Sequence, residues 1–215
     1  MIGNNNKQFY ACAAAVFIGL PMLLWTVGEV PKRTVLSEAL SLATLLAFSL
    51  MLGLLFFTRA YSNARSCLTM GVTIKWHRRV GYLAVAVILL HPFLIVLPKA
   101  FGSGVAPIEA FVTMVSTWDS PGVLMGIIAW CLVLLLGLTA LLRRRLPLKY
   151  TTWRAIHGML GVLIIVLGTW HAIVLGRHTG LAMSLFMVTM AAGGVLLLLN
   201  TYIRETLGDT RSKRP

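Results

Sequence analysis

Acid is scarce in this 215-residue chain: six Asp and Glu stand against 19 Lys and Arg, and charged residues make up only 12%. A soluble domain carries about 25% charged residues. Half of that cannot cover a water-facing surface. Cysteine is also sparse. Cys12, Cys67 and Cys131 lie far apart, with no CxxC and no CxxCH. This argues against a clustered zinc site, a four-cysteine iron–sulfur centre and covalent c-type heme, and reads instead as small apolar packing residues. No glycine-rich nucleotide fingerprint is present, and none is expected in the short tail after the last apolar run.

Apolarity is what the chain does have. Hydrophobic residues reach 58% and the mean hydropathy is +0.86. Disorder, a collagen-like fibre and a disulfide scaffold are excluded by the same composition. An integral membrane protein remains. A formal charge of +13 would suggest nucleic acid in a soluble protein. No basic domain exists outside the apolar runs, so nucleic acid is not expected as a partner. Cationic loops held on one side of a bilayer explain the excess better.

Uncharged apolar runs occur at about 9–28, 39–57, 80–98, 121–142, 155–176 and 180–203, each near the roughly 20 residues that cross a hydrocarbon core. Short alternating strands of a barrel are missing, so the spans are expected to be helices. The first run lacks a small-x-small cleavage site and contains Pro21 and Trp25, so it is kept as a helix. The expected fold is all-α, a polytopic six-helix bundle forming a single domain over 1–215. Of the 19 basic residues, 15 fall in the terminal segments and the loops on the same side as them. That imbalance puts both termini in the cytoplasm. The outer segment 99–120 is expected to lie partly amphipathic in the interface.

Histidine carries the chemistry. His91 follows His77 by 14 residues, and His171 follows His157 by 14. Fourteen residues of helix rise about 21 Å and fall about 40° short of four turns. Each pair therefore shares one face at two depths. Helices three and five run the same way, so His77 should lie level with His157, and His91 with His171. Gly81 and Gly161 follow the inner histidines by one turn and clear the same face for a flat macrocycle. Ala84 and Ile164 lie between the levels. Two facing imidazoles per level suit six-coordinate iron in heme b, two hemes in all. A lone intramembrane histidine is as readily a packed, hydrogen-bonded side chain, but two matched pairs are less easily explained that way.

His178, beside Arg177 in a short outer loop, reads as a solvated loop residue, or alternatively as a contact to an outer heme propionate or an external acceptor. Lys99 is a similar candidate. Lys75, Arg78, Arg79 and Arg154 surround the inner level as topology determinants, with Arg78 and Arg154 the candidates for inner propionates. Trp76, Trp153 and Trp170 read as interface anchors or packing rather than relays. Pro92 is expected to kink helix three beside His91.

Two segments carry a family likeness: Trp76-His77-Arg78-Arg79-Val80-Gly81-Tyr82 leading to His91-Pro92, and Trp153-Arg154-Ala155-Ile156-His157 leading to Trp170-His171. In them the sequence resembles the ferric reductase-like transmembrane domain family over about 40–200. That family includes ferric-chelate reductases, NADPH oxidases and the heme-bearing membrane subunit of the periplasmic methionine sulfoxide reductase system. The resemblance implies a six-helix bundle with two stacked b hemes, held by His77 with His157 and His91 with His171. Ferric reductases and NADPH oxidases usually carry a cytoplasmic flavin- and NADPH-binding module on the same chain. This chain is expected to lack one, as the methionine sulfoxide reductase subunit does, although that subunit often lacks the histidine found here as His77.

The expected function is transmembrane electron transfer, as the membrane component of an oxidoreductase in a bacterial inner membrane. Electrons would enter at the cytoplasmic side from a separate flavoprotein or from quinol, so flavin or quinone is the further cofactor to look for. They would leave to ferric iron, oxygen or a periplasmic redox enzyme. A quinol-linked methionine sulfoxide reductase-type subunit is one alternative. A heme-free scaffold or transporter subunit is the other, though Glu29, Glu38, Glu109, Asp119, Glu205 and Asp209 all lie at ends or in loops rather than as paired intramembrane acids.

Overall fold

The computed structural model describes residues 2–28, 30–31, 33–57, 70–103 and 106–212, with side chains described over 7–28, 30–31, 33–57, 71–96 and 106–204. Among them there are helices and no strands. In chain order these are α1 (Ile2–Ala14), a π-helical turn (Ala15–Gly19), α2 (Leu20–Val27), α3 (Val35–Phe56), α4 (Met70–Ser103), α5 (Pro107–Ser116), α6 (Pro121–Leu141), α7 (Tyr150–Leu175) and α8 (Leu181–Ser212). Six stretches are long and apolar enough to cross a membrane: Lys7–Val27, Val35–Phe56, Gly71–Val96, Pro121–Leu141, Tyr150–Leu175 and Leu181–Arg204. The six-helix membrane fold expected from the apolar runs is therefore the fold observed. Residues with exposed side chains include Leu83, Leu90, Leu135, Val166, Leu185 and Leu196. Outward apolar faces of this extent suit lipid and not water.

The boundaries follow local chemistry. The π-helical turn ends two residues before Pro21, whose ring would crowd the carbonyl four residues back and which has no N–H to return to it. Thr34 caps α3 by accepting from the Ser37 amide at 3.3 Å, and Glu38 lies in the first turn. Pro107 and Pro121 open α5 and α6, where a missing N–H costs nothing. The largest departure from the sequence expectation is α4. Apolarity suggests a start at 80, but the helix begins at Met70. Charged Lys75, Arg78 and Arg79 end an apolar run without ending a helix, because Lys and Arg are good helix formers. Helical backbone also continues without interruption through Pro92. The short α5 lies within the 99–120 segment, for which an interfacial helix is the sequence expectation.

Packing centres on α3, with Leu45, Ala47, Phe48, Ser49, Met51, Leu52, Gly53 and Leu55 buried. A helix buried on most of its faces is the middle of a bundle. It packs on α4, α8 and α2, while α6 packs on α7 and more lightly on α4. Lipid offers no hydrophobic drive between helices, so close fit must supply the association. At Gly53 an added Cβ would stand 3.0 Å from the Phe17 ring, so a missing side chain is what lets the first span approach. Ala84 and Ile164, between the two histidine levels, are buried in the central cluster. The segment 58–69, which holds Arg59, Arg65 and Cys67, lies outside the described residues, as do Glu29, Lys32, Lys213 and Arg214.

Candidate functional site

The four helical histidines meet in two pairs. His77 on α4 faces His157 on α7, with ring centroids 6.3 Å apart and planes at 62°. His91 on α4 faces His171 on α7 at the same 6.3 Å, with planes at 83°. The α4 and α7 backbones themselves scarcely approach. Their imidazoles bridge a gap that α6 closes on one side.

Hydrogen bonds at the outer pair define its chemistry. His171 Nδ1 lies 2.8 Å from the Gly122 carbonyl oxygen, which can only accept, so Nδ1 carries the proton. Thr44 Oγ1 donates to the Leu40 carbonyl at 2.9 Å, so at 3.3 Å it accepts from His91 Nδ1. Both outer imidazoles are thereby assigned as Nδ1–H tautomers, each with a basic Nε2. Orientation of a ligand histidine through its other nitrogen is the usual support of a metal site. Gly126 on α6 makes the notch for this ring, and Gly122, one turn earlier on the same face, lets α6 approach the end of α7. A Cβ on Gly126 would overlap the His171 imidazole, and one on Gly122 would meet Val174 and Leu175.

The inner pair is held differently. His77 Nδ1 and His157 Nδ1 are both buried without a hydrogen bond. The Leu54 backbone lies close to the His77 ring, yet Nδ1 makes no bond of proper geometry with it. Trp153 instead stacks on His157, with centroids 5.0 Å apart and planes at 27°. Its Nε1 donates to the Thr139 carbonyl at 3.1 Å, which ties the indole to α6. The Arg143 guanidinium stands 5.3 Å from the same indole centroid. Trp153 thus touches a histidine of the site, while Trp170 is exposed on the outer surface of the bundle.

Other candidate residues divide. A Cβ on Gly161 would meet nothing within 4 Å, whereas one on Gly81 would touch Leu54 at 3.7 Å. Arg78 is exposed. Arg154 lies over the Tyr202 ring at 5.4 Å, and Tyr202 donates to the Arg154 carbonyl at 3.0 Å. His178 corrects the expectation of a solvated loop residue. Its Nε2 pairs with Glu38 Oε2 at 2.8 Å, its ring lies 5.0 Å from Trp25, and its side chain is 9% exposed. Arg177 donates to the Pro31 carbonyl beside it. The loop is drawn inward because a carboxylate on α3 pairs with the ring nitrogen and an indole on α2 packs against the imidazole. The Lys99 side chain lies outside the described residues. Cys12 and Cys131 are free and exposed, contrary to the buried packing role expected.

Among the described residues, no three His, Cys, Asp or Glu side chains cluster as a bare ion would require. Two imidazoles per level instead suit a metal whose other positions come with a macrocycle. Metal–nitrogen bonds of roughly 2.0–2.1 Å on both sides put the ring centroids about 6 Å apart, as found. Thr44, Gly122 and Gly126 were not singled out from the sequence, although Gly122-x3-Gly126 is a small-x3-small pattern of close helix contact.

These features define a helical membrane protein with two internal pairs of metal-competent imidazoles. The chain matches the family described as "Ferric reductase like transmembrane component" over residues 43–169. It is also 38% identical over 170 residues to a protein of Archaeoglobus fulgidus described as uncharacterized, covering 79% of this chain and 92% of that one. No solved structure matches. The chain belongs to the ferric reductase-like transmembrane family, a class of membrane redox components.

Proposed function

We propose that the chain is a di-heme b-type electron conduit across a plasma membrane, with its basic end and both termini in the cytoplasm. His77 with His157 would hold the inner heme, and His91 with His171 the outer. The observation that carries the reading is the repeated pair of imidazoles with centroids 6.3 Å apart. When bound, the hemes supply one-electron redox chemistry. The chain's residues position and enclose it. Thr44 and the Gly122 carbonyl hold the outer imidazoles with Nε2 free. Ala84 and Ile164 keep the region between the levels apolar and dry. Gly161 leaves open space one turn from His157 while Gly81 packs beside Leu54, and Arg78 and Arg154 are the candidates for inner propionates.

The levels lie about 21 Å apart along each helix, which divides the bilayer into shorter tunnelling steps. Two imidazoles per level would leave a bound metal no open position, so acceptors would be reduced by outer-sphere transfer. Electrons enter at the cytoplasmic side from a separate flavoprotein or quinol and leave to ferric iron, oxygen or a periplasmic redox enzyme. Purified protein should show a b-type alpha band in the reduced-minus-oxidised spectrum and two irons per chain. A spectrum without that band, or iron well below two, would leave the heme-free scaffold or transporter reading in its place.

A further inference from the structure

Among the described side chains, one end of the bundle carries basic residues and no acidic one. The turn between α6 and α7 presents Arg144, Arg145 and Lys149 exposed, with Tyr150 beside them. The turn is ordered: the Arg145 amide donates to the Leu142 carbonyl at 2.8 Å, and the Leu146 amide to the same oxygen at 3.1 Å. The acids with described side chains, Glu38, Glu109 and Asp119, all belong to the opposite end. Charge alone would be satisfied by lipid headgroups. A second observation points elsewhere. From the exposed turn a ladder of contacts leads inward. Arg143 lies 5.8 Å from the Tyr150 centroid and 5.3 Å from that of Trp153. Trp153 stacks on His157 at 5.0 Å, and His157 faces His77 at 6.3 Å. Topology needs the basic residues, but not an indole fixed against a histidine of the inner pair.

We propose that the α6–α7 turn is the docking surface for an acidic, one-electron flavoprotein, and that Trp153 is the route by which its electron reaches the inner histidine pair. This rests on the electron-conduit reading and specifies its entry. The donor's reduced flavin is oxidised by one electron, and the metal centre held by His77 and His157 is reduced by one. No proton or group moves between the proteins. Trp153 is itself neither oxidised nor reduced. Its stacked ring replaces a through-space gap with contact. Arg144, Arg145 and Lys149 steer the donor, since complementary charge raises association rates by about 10 to 1,000-fold at low salt.

The test uses the full chain in phosphatidylcholine nanodiscs, where the lipid carries no net charge, with a flavodoxin as the acidic probe. Two quantities are read: binding of oxidised flavodoxin by fluorescence anisotropy, which does not need heme, and the heme reduction rate by flavodoxin hydroquinone. The Arg144→Glu/Arg145→Glu variant should weaken binding by about tenfold or more at low salt and flatten its salt dependence. Arg204→Glu, at the same end on α8, should have a much smaller effect. Trp153→Leu should slow reduction by about tenfold with binding unchanged, and Trp153→Phe should recover most of the rate. Unchanged binding in the double variant, or an equal loss with Arg204→Glu, overturns the docking surface. A double-variant effect that appears only when anionic lipid is added assigns the turn to the membrane and also overturns it. Equal rates for Trp153→Leu and wild type overturn the route. Absence of heme would sink the conduit reading by itself, with flavodoxin binding still deciding the docking surface.

Discussion

The two histidine pairs have the same ring separation and different support. At the outer pair each Nδ1 finds an oxygen on another helix, Thr44 on α3 or Gly122 on α6, and the bare backbone at Gly126 in α6 receives one ring. At the inner pair neither Nδ1 has a hydrogen-bond partner, and an indole covers one face of His157. Equal spacing with unequal support separates two requirements. Spacing is what a shared ligand geometry demands. Support tunes orientation and basicity, and here it is strong only at the outer level. The inner level is where aromatic contact extends toward the basic surface.

Removal of ligands is the strongest challenge to this comparison. His77→Ala should remove only the inner heme and His171→Ala only the outer, each lowering iron from two per chain to one in metal analysis. Loss of both hemes from either change would deny that the pairs are independent. The glycines come next. Gly126→Ala places a Cβ in the His171 ring and should cost about 1–3 kcal/mol as an overpacking change, together with the outer heme signal. Gly161→Ala meets open space and should leave melting of the heme-free protein nearly unchanged. The bulkier Gly161→Leu should lower heme occupancy, and full occupancy would show that no flat group uses that space.

Thr44→Val probes the outer support more gently. It leaves the His91 Nδ1–H without its acceptor, so His91 becomes a weaker donor through Nε2. The outer potential should rise, on the order of tens of millivolts, while the inner one stays in place in a redox titration. A shift at the inner centre instead would reverse the assignment of levels. The smallest effect is expected at the outer strap. Glu38→Gln removes the carboxylate that pairs with His178 Nε2 and accepts from the Arg33 amide at 3.3 Å. About 1 kcal/mol of stability should be lost, read as a modest drop in melting temperature with both heme spectra retained.

Much of this molecule was legible in one dimension. Apolar runs located six helices, and the 14-residue spacings aligned His77 with His91 and His157 with His171, because helix rise and rotation are local properties. Charge misled the boundary of α4, since Lys75, Arg78 and Arg79 interrupt hydropathy without interrupting helical hydrogen bonding. His178 misled in the other direction. Its neighbours in sequence are polar, but its partners Glu38 and Trp25 come from earlier helices. Trp153 resembled an interface anchor because amphipathic tryptophan is common at membrane boundaries. Nothing local distinguishes it from Trp170, which points away from the bundle.

From the sequence alone came the membrane class, the number of spans and the two depths at which histidines recur, since each depends on composition or on helical periodicity. Only the tertiary structure decided which nitrogen of each outer histidine is free, which ring rests in the α6 notch and which tryptophan reaches the inner pair. Those outcomes depend on hydrogen bonds and contacts between helices. Thr44 is 47 residues from His91, and Gly122 is 49 from His171. At such separations no local pattern carries the information, and close packing between helices supplies it.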